Sequence, residues 1–361
     1  MYFYKEGSFS RSYSQLLGDI KEYDGINPNY SKILNVFRSF IPISIKFKDL
    51  DSLIYYIETH SAVLTLDLET SGTTGESKKI TQKISNLIRY VKKTDTNLVW
   101  GFCYSPTHIA GIQVLLQIIL NKNTLVYLFG KDFTEIENEI YSKKVTNISC
   151  TPTFMKMLLP NIKRNYKLSK VTFGGERLNN YIVDKLKEVL PGVKVRNVYA
   201  STEAGSILAS KGEYFRIPEH LLNLVKIENN EICIHKSLLG LYGSKSEWFK
   251  TGDFIEYVND NEFKIVARDS EIVKTGGYRV SLSKVEQILQ KEDKIKDCVV
   301  YTRDNSIVGK IICVDIVTET DIKGIKNIIK KITSLESYEK PQVIKIVKSL
   351  KLTETGKVSR V

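Results

Sequence analysis

Cysteine is sparse and unpatterned. The five residues Cys103, Cys150, Cys233, Cys298 and Cys313 lie far apart in apolar stretches and form no CxxC pair. That excludes a readable zinc site, a redox motif and a small disulfide scaffold, and it suits a reducing cytoplasm. Long apolar runs are missing too. The most apolar stretch, Ile109 to Leu120, is about a dozen residues long and carries Gln113 and Gln117, against the ~20 residues a membrane-spanning helix needs. The opening MYFYKEGSFS lacks the apolar core of a signal peptide. A cytoplasmic protein with no membrane span is expected. Repeats and low-complexity tracts are absent, and with 42% hydrophobic and 26% charged residues the chain is neither a disordered tail nor a collagen-like rod.

What is present is length and positive charge. The chain of 361 residues suggests two or three packing units. Lys and Arg number 53 against 41 Asp and Glu, a formal net charge of +12. Such a surplus favours anionic partners: a nucleotide, coenzyme A, an acidic carrier protein or nucleic acid. Charge alone does not choose among them. The basic residues are scattered among acids rather than grouped with aromatics on one face, and no RNA- or DNA-binding motif is present, which speaks against nucleic acid.

From about residue 62 to 205, short β-branched runs alternate with helical patterns. AVLTLDLE, LVWGFCYS, TLVYLF, VTNISC, SKVTFGG and VKVRNVYAS read as strands; HIAGIQVLLQIIL, FTEIENEIYSKK, TFMKMLL and NNYIVDKLKEVL have apolar residues at helical spacing. This alternation predicts an α/β fold with a parallel sheet, and ligands of such sheets bind beyond the carboxyl ends of the strands. After Gly205 the texture becomes ribbon-like. EYFRIPE, LVKIENNEICIHK and DFIEYVNDNEFKIVAR read as antiparallel ribbons, with Asn229-Asn230 and Asp260-Asn261 at turns. Beyond Arg268 a helix from about Ser283, strands CVVYTR and KIICVDIV, a helix near Ile322 and a strand QVIKIVK read as a small α+β unit. The expected division is therefore 1–268 and 269–361, joined near Arg268-Asp269-Ser270.

The chemistry-bearing stretch is Thr70-Ser71-Gly72-Thr73-Thr74-Gly75-Glu76-Ser77-Lys78, directly after a strand. Glycines let backbone N–H groups approach phosphate oxygens, hydroxyls add donors and a lysine adds charge. The spacing is not that of a Walker A loop, and alone it is also compatible with a flexible turn. It does not stand alone. TSGTTGESK resembles the phosphate loop of the adenylate-forming superfamily, which includes acyl-CoA and aryl-CoA synthetases, peptide-synthetase adenylation domains and luciferases. Ser77 stands where the family usually has proline. Further motifs follow in the family order. SPTHIAG at 105–111 resembles PxFHxxG, and Gly174-Gly175-Glu176 resembles the segment flanking the acyl pocket. Asn197-Val198-Tyr199-Ala200-Ser201-Thr202-Glu203 is similar to NxYGxTE, and Thr251-Gly252-Asp253 to TGD. Arg268 to Val280 resembles GRxDxxIKxxGxRV, and KLTETGKVSR near the end resembles PLTxxGKxxR. The stretch ahead of Thr70 is shorter than is usual in the family.

The resemblance implies a large N-terminal domain with parallel sheet layers and a small β-ribbon subdomain, followed by a small mobile C-terminal domain. It implies an AMP-forming acid–thiol ligase using ATP and Mg²⁺: an acyl or aryl acid becomes an acyl-adenylate, then a thioester with coenzyme A. Loading of a separate carrier protein's phosphopantetheine is the alternative. Thr70, Ser71, Gly72, Thr73, Thr74, Gly75 and Lys78 would hold the β- and γ-phosphates. Thr202 would bond the α-phosphate, and Glu203 would hold Mg²⁺. Tyr199 would stack on adenine, within the segment Asn197, Ala200 and Ser201. Asp253 would accept the ribose hydroxyls, and Arg268 would reach the ribose or phosphate. Lys357 would bridge carboxylate and α-phosphate in the first step. Lys274, Gly276 and Gly277 would line the pantetheine path in the second, with Ser270 at the hinge position. Gly174, Gly175, Glu176 and His108 would border the acid.

Residue by residue, plainer readings exist: Tyr199 as a core aromatic, Asp253 as a turn residue, Thr202-Glu203 as a helix cap, Lys357 as a solvated tail lysine, Glu176 and Arg268 in structural ion pairs, and Gly276-Gly277 as an ordinary turn. His108 reads either as a lining residue or as a helix cap. It stands where amino-acid-activating domains carry the aspartate that pairs with the α-ammonium, so an α-amino acid substrate is disfavoured. A cysteine relay is disfavoured as well, because the last cysteine, Cys313, lies in an apolar strand.

Overall fold

In the computed structural model the described residues are all except 24, 43, 46, 71–77, 95, 163–165, 242–245, 307–308 and 352–361; the side chains of Thr70, Lys78 and Ser270 are also outside the description. Ser71, Gly72, Thr73, Thr74, Gly75 and Lys357 therefore lie outside the described residues. Contacts divide the chain into two units, Met1–Leu224 with Ile234–Phe249, and Val225–Cys233 with Lys250 onward.

The first unit opens with β1 (Tyr2–Glu6) and β2 (Phe9–Ser12), then α1 (Tyr13–Asp19), α2 (Pro28–Phe40) and α3 (Leu50–His60). Ser12 and Gln15 form a capping box at the start of α1, satisfying amide groups that the first turn would leave unpaired. Next come β3 (Thr65–Thr70), β4 (Lys78–Lys83) and α4 (Ile84–Ile88). They are followed by β5 (Val99–Phe102), α5 (Ile109–Leu120), β6 (Thr124–Tyr127), α6 (Phe133–Ser142), β7 (Asn147–Cys150), α7 (Pro152–Leu158), β8 (Lys170–Gly174), α8 (Asn180–Val189), β9 (Lys194–Ser201) and β10 (Gly205–Ser210). Eight strands form one sheet in the order β10-β9-β8-β7-β5-β6-β1-β2. From β9 through β1 each neighbouring pair is parallel, and the two outer strands, β10 and β2, are antiparallel.

Alternate residues feed two cores. Leu125 and Tyr127 of β6 join one with Trp100, Phe102 and the apolar faces of α2, α3 and α5. Val126 joins the other, with Val171, Phe173 and residues of α6, α7 and α8. The sheet is thus covered by helices on both faces, as expected for a parallel sheet.

Two expectations needed correction. The run AVLTLDLE is a strand but does not enter the parallel sheet. β3 pairs antiparallel with β4, from Thr65 opposite Lys83 to Thr70 opposite Lys78, so its ladder goes to the next strand in sequence rather than to the parallel sheet. EYFRIPE contributes no strand: Pro218 lacks a donor for a ladder and a 3₁₀ turn follows at Glu219–Leu221. Its Phe215 is buried because the ring packs edge-on against Tyr199, with centroids 6.4 Å apart.

The remaining strands and helices are β11 (Val225–Glu228), β12 (Glu231–His235), β13 (Trp248–Tyr257), β14 (Phe263–Arg268), β15 (Ile272–Thr275), β16 (Tyr278–Ser281), α9 (Leu282–Leu289), β17 (Asp297–Asn305), β18 (Gly309–Val317), α10 (Ile322–Lys331) and β19 (Val343–Val347). Asn229 and Asn230 both take positive φ between β11 and β12, the backbone a tight hairpin turn requires. In the second unit, Val285, Leu289, Ile325 and Ile329 of α9 and α10 pack on Cys298, Val300, Ile312, Val314 and Ile316 of β17 and β18.

Candidate active site

Because β5, β7, β8 and β9 run in parallel, their carboxyl ends share one edge of the sheet. Most sequence-identified residues of the first unit sit there. Gly174 ends β8 and Ser201 ends β9. Asn197 and Tyr199 are buried on β9, with Asn197 Nδ2 donating to the Gly212 carbonyl at 2.9 Å. Ser201 Oγ accepts from Ala204 N at 3.3 Å, shaping the turn that holds Thr202 and Glu203.

That turn is tied to the β3–β4 hairpin by a residue the sequence does not single out. Gln82 on β4 is fully buried, and its Nε2 donates to the carbonyls of Thr202 at 2.7 Å and Glu203 at 2.6 Å. Gly240 N donates to the same Glu203 carbonyl at 2.8 Å. Arg89 adds bonds to the carbonyls of Ala204 at 3.2 Å and Leu238 at 3.0 Å. With both backbone carbonyls occupied, the Thr202 hydroxyl and Glu203 carboxylate remain as the groups a ligand would meet. Gln82 at the end of β4 and Asn86 in α4, four residues apart in ITQKISNLI, are bonded to each other at 3.1 Å, and nothing in that mixed stretch singles them out in the sequence.

His108 is the cap of α5: its backbone is extended and Nδ1 accepts from Ala110 N at 3.3 Å. The capping reading is the one observed. Glu176 Oε2 accepts from Thr153 N at 3.0 Å, at the first turn of α7, where unpaired amides favour a carboxylate. Tyr104 links two motifs, its hydroxyl donating to the Gly174 carbonyl at 3.2 Å. Gly111 explains itself by space, since a Cβ there would lie 2.1 Å from the Ser105 carbonyl oxygen. Gly111→Ala is expected to destabilise the first unit by about 2 kcal/mol, because overpacking against backbone outweighs the ~1 kcal/mol gain in helix propensity. Thermal unfolding checks this; a raised melting temperature would contradict it.

Cys103 and Cys150 follow or end β5 and β7 at the same edge. Burial pushes both thiols up, and the Glu176 carboxylate adds to the effect at Cys150. A raised pKa keeps the thiol protonated through neutral pH and above, so neither can act as a nucleophile. In native protein at pH 8, iodoacetamide followed by peptide mapping should leave both unlabelled, and guanidinium should expose both. Rapid native labelling of either would refute the assignment.

In the second unit the TGD segment is built by β13. Thr251 Oγ1 donates to the Ile232 carbonyl at 2.8 Å and accepts from Asp253 N at 3.1 Å, and Glu231 Oε1 accepts from Gly252 N at 2.8 Å. Asp253 lies opposite Arg268 of β14, and the two form a bidentate pair: Nε to Oδ1 at 2.7 Å and Nη2 to Oδ2 at 3.1 Å. The Asp253 side chain is 5% exposed and that of Arg268 46%. Lys274 sits on β15 opposite Arg279, with Gly276 and Gly277 forming the turn to β16 at φ +53° and +87°, a conformation suited to glycine. Among the described residues no group of three or more His, Cys, Asp or Glu is placed to hold a metal. A single carboxylate such as Glu203 matches Mg²⁺, which is usually held by one or two carboxylates, phosphate oxygens and water. No helix among the described residues is long and apolar enough to cross a membrane.

Comparison with known proteins adds the lineage. The AMP-binding enzyme family profile matches residues 69–225, and that of the AMP-binding enzyme C-terminal domain matches 284–357. Gramicidin S synthase 2 of Brevibacillus brevis is 27% identical over 380 residues, covering 89% of this chain but only 8% of that protein. The 2-succinylbenzoate–CoA ligase of Staphylococcus epidermidis is 27% identical over 324 residues, covering 81% of this chain and 67% of the ligase. The fold is shared with O-succinylbenzoate coenzyme A synthetase of Bacillus subtilis. Its complex with the acyl-adenylate intermediate aligns at TM-score 0.70 and 15% identity over 99% of this chain and 94% of that one. Its complex with ATP and magnesium ion aligns at 0.63 and 19% over 81% and 68%. Two family segments in the expected order, on the expected fold, lead to one conclusion: the chain belongs to the AMP-binding enzymes of the adenylate-forming superfamily.

Proposed function

We propose that the protein is an ATP-dependent, AMP-forming acid–thiol ligase that activates an acyl or aryl carboxylic acid and passes it to coenzyme A. The observation that carries this reading is the Gln82 tie, which holds the Thr202-Glu203 turn against the arms of the phosphate loop at the carboxyl edge of the sheet. Ligase relatives of the family support the choice of acid and coenzyme A. In the first step a carboxylate oxygen attacks the α-phosphorus of ATP and the bond to pyrophosphate breaks. In the second a thiolate attacks the acyl carbon and AMP leaves. Two anions must meet in the first step, so oriented donors and positive charge supply most of the rate. In this reading Lys78 and the loop 71–77 hold the outer phosphates, Thr202 bonds the α-phosphate and Tyr199 stacks on adenine. Glu203 would hold Mg²⁺, whose charge would offset that of the phosphates. Asp253 serves the ribose without giving up Arg268, because a carboxylate has about four lone-pair sites and the bidentate guanidinium uses two. Gly174, Gly175, Glu176 and His108 border the acid, Lys274 with Gly276 and Gly277 the thiol's path. The division at 268/269, with Ser270 as hinge, belongs to the same proposal, as does a cytoplasmic setting.

The test is pyrophosphate release with ATP and Mg²⁺ across fatty, aryl, hydroxy and amino acids, with and without coenzyme A. Acid-dependent release with an acyl-CoA product supports the proposal. Acyl-AMP that never transfers to coenzyme A points to a carrier protein as acceptor, and silence across the panel overturns the ligase reading.

A further inference from the structure

Two buried polar atoms of the main sheet have no hydrogen-bond partner, Trp100 Nε1 and Asn147 Oδ1, in residues 6% and 4% exposed. They are neighbours in one cross-strand row. The register pairs Leu125 with Trp100, Trp100 with Asn147, Asn147 with Lys170 and Lys170 with Lys194. Paired residues of adjacent strands project to the same face, and adjacent strands lie ~4.8 Å apart. One face of the sheet therefore carries, side by side, an unpaired indole donor, an unpaired amide acceptor and two lysines. Two residues along β9, Arg196 projects to that same face opposite Thr172. Lys92, in the segment after α4, is close enough to act electrostatically on Lys170 together with Lys194 and Arg196. Lys170 and Arg196 are half-buried. Among the described residues, the side chains of Lys92, Lys170, Lys194 and Arg196 have no hydrogen bond or ion pair. Burial first, then the three neighbouring cations, holds Lys170 below the usual lysine range, and burial lowers Arg196 as well. Four like charges gathered over buried, unsatisfied polar atoms is an arrangement that a counter-ion would relieve.

We propose that this row is a binding site for a phosphate-class oxyanion, at the amino-terminal ends of β8 and β9. It is separate from the candidate active site: Lys194 and Ser201 stand at opposite ends of β9, roughly 23 Å apart at ~3.3 Å per residue. The donor set fits the ligand. Lys170, Lys194, Arg196 and the Trp100 N–H donate to unprotonated oxygens, and the unpaired acceptor Asn147 Oδ1 takes the P–OH of hydrogen phosphate. Sulfate at neutral pH has no such proton to give.

The two tryptophans, Trp100 and Trp248, make the site readable. In full-length Trp248→Phe protein, titration with inorganic phosphate at constant ionic strength should change Trp100 emission saturably. Arg196→Gln or Lys170→Met should weaken binding at least ten-fold, Arg196→Lys should retain part of it, and sulfate should bind at least ten-fold more weakly than phosphate. Glycerol phosphate in a parallel titration separates the sources: whichever of the two binds more tightly identifies a free ion or a phosphomonoester, and either ordering supports the site. If one variant fails to fold, the other carries the comparison. Emission that does not saturate, or affinity unchanged in the folded variants, overturns the proposal. Asp95, three residues after Lys92, lies outside the described residues and is the rival counter-ion. Phosphate binding that emerges only in Asp95→Asn would assign the cluster to that carboxylate and overturn the proposal too.

Discussion

Replacing Lys357 with alanine is expected to cut acyl-adenylate formation by about 100-fold or more, the scale for losing one charge contact made in the transition state. The physical reason is the approach of two anions, the acid's carboxylate and the α-phosphate, which a bridging ammonium offsets as the new bond forms. A 100-fold loss corresponds to ~2.7 kcal/mol of barrier. Lys357 lies outside the described residues, so its role rests on its place in KLTETGKVSR. The thioester step starts from an acyl-adenylate whose carboxylate charge is already gone. Transfer from supplied acyl-AMP to coenzyme A should therefore change little. Single-turnover measurement of both half-reactions separates the outcomes, and equal loss in the two would remove the assignment. Lys357→Arg is expected to restore little, because a planar fork does not place a point charge between two oxygens.

The second large effect concerns Asp253 and Arg268, and it is asymmetric. Asp253 is buried while nearly half of the Arg268 side chain is open to water. Arg268→Ala strands a buried carboxylate and should destabilise the fold by about 3 kcal/mol, within the range for breaking a buried pair from one side. Asp253→Ala leaves an arginine that water can solvate, and should cost only ~1 kcal/mol. For ligand binding the order reverses. Asp253→Ala is expected to weaken ATP binding by at least about 100-fold, since it deletes two hydrogen bonds to a charged acceptor at ~1.5–3 kcal/mol each. Arg268→Ala keeps the carboxylate and should weaken binding less, measured well below its melting temperature. Denaturant melts and ATP titrations on both variants give the four numbers. Unchanged ATP affinity in Asp253→Ala would overturn the ribose assignment.

The alternating pattern from residue 62 to 205 was legible because each parallel strand is short, β-branched and followed by a helix with a clear apolar face; β5 to β9 and α5 to α8 all lie where that rhythm puts them. β1 was not legible. YFYKE carries two charges in five residues, and only the arrival of β6 beside it, Tyr4 opposite Leu125, makes it a sheet strand. Tyr13 illustrates the same dependence: its hydroxyl donates to the Asn123 carbonyl at 2.6 Å, a partner 110 residues away. Local propensity holds no information about such a bond.

The site divides in the same way. Residue types and their order alone determined the lineage, because TSGTTGESK, NVYASTE and TGD are short stretches readable without any knowledge of packing. The tertiary structure decided what surrounds them: that Gln82 secures the Thr202-Glu203 turn, that Glu176 serves the first turn of α7, and that Asp253 is held by Arg268. It also placed unpaired Trp100 and Asn147 beside Lys170 across three strands. Motifs record what a ligand needs within a few residues of chain. Packing brings together residues tens to more than a hundred positions apart, and only there do burial, charge and an unsatisfied hydrogen bond acquire their meaning.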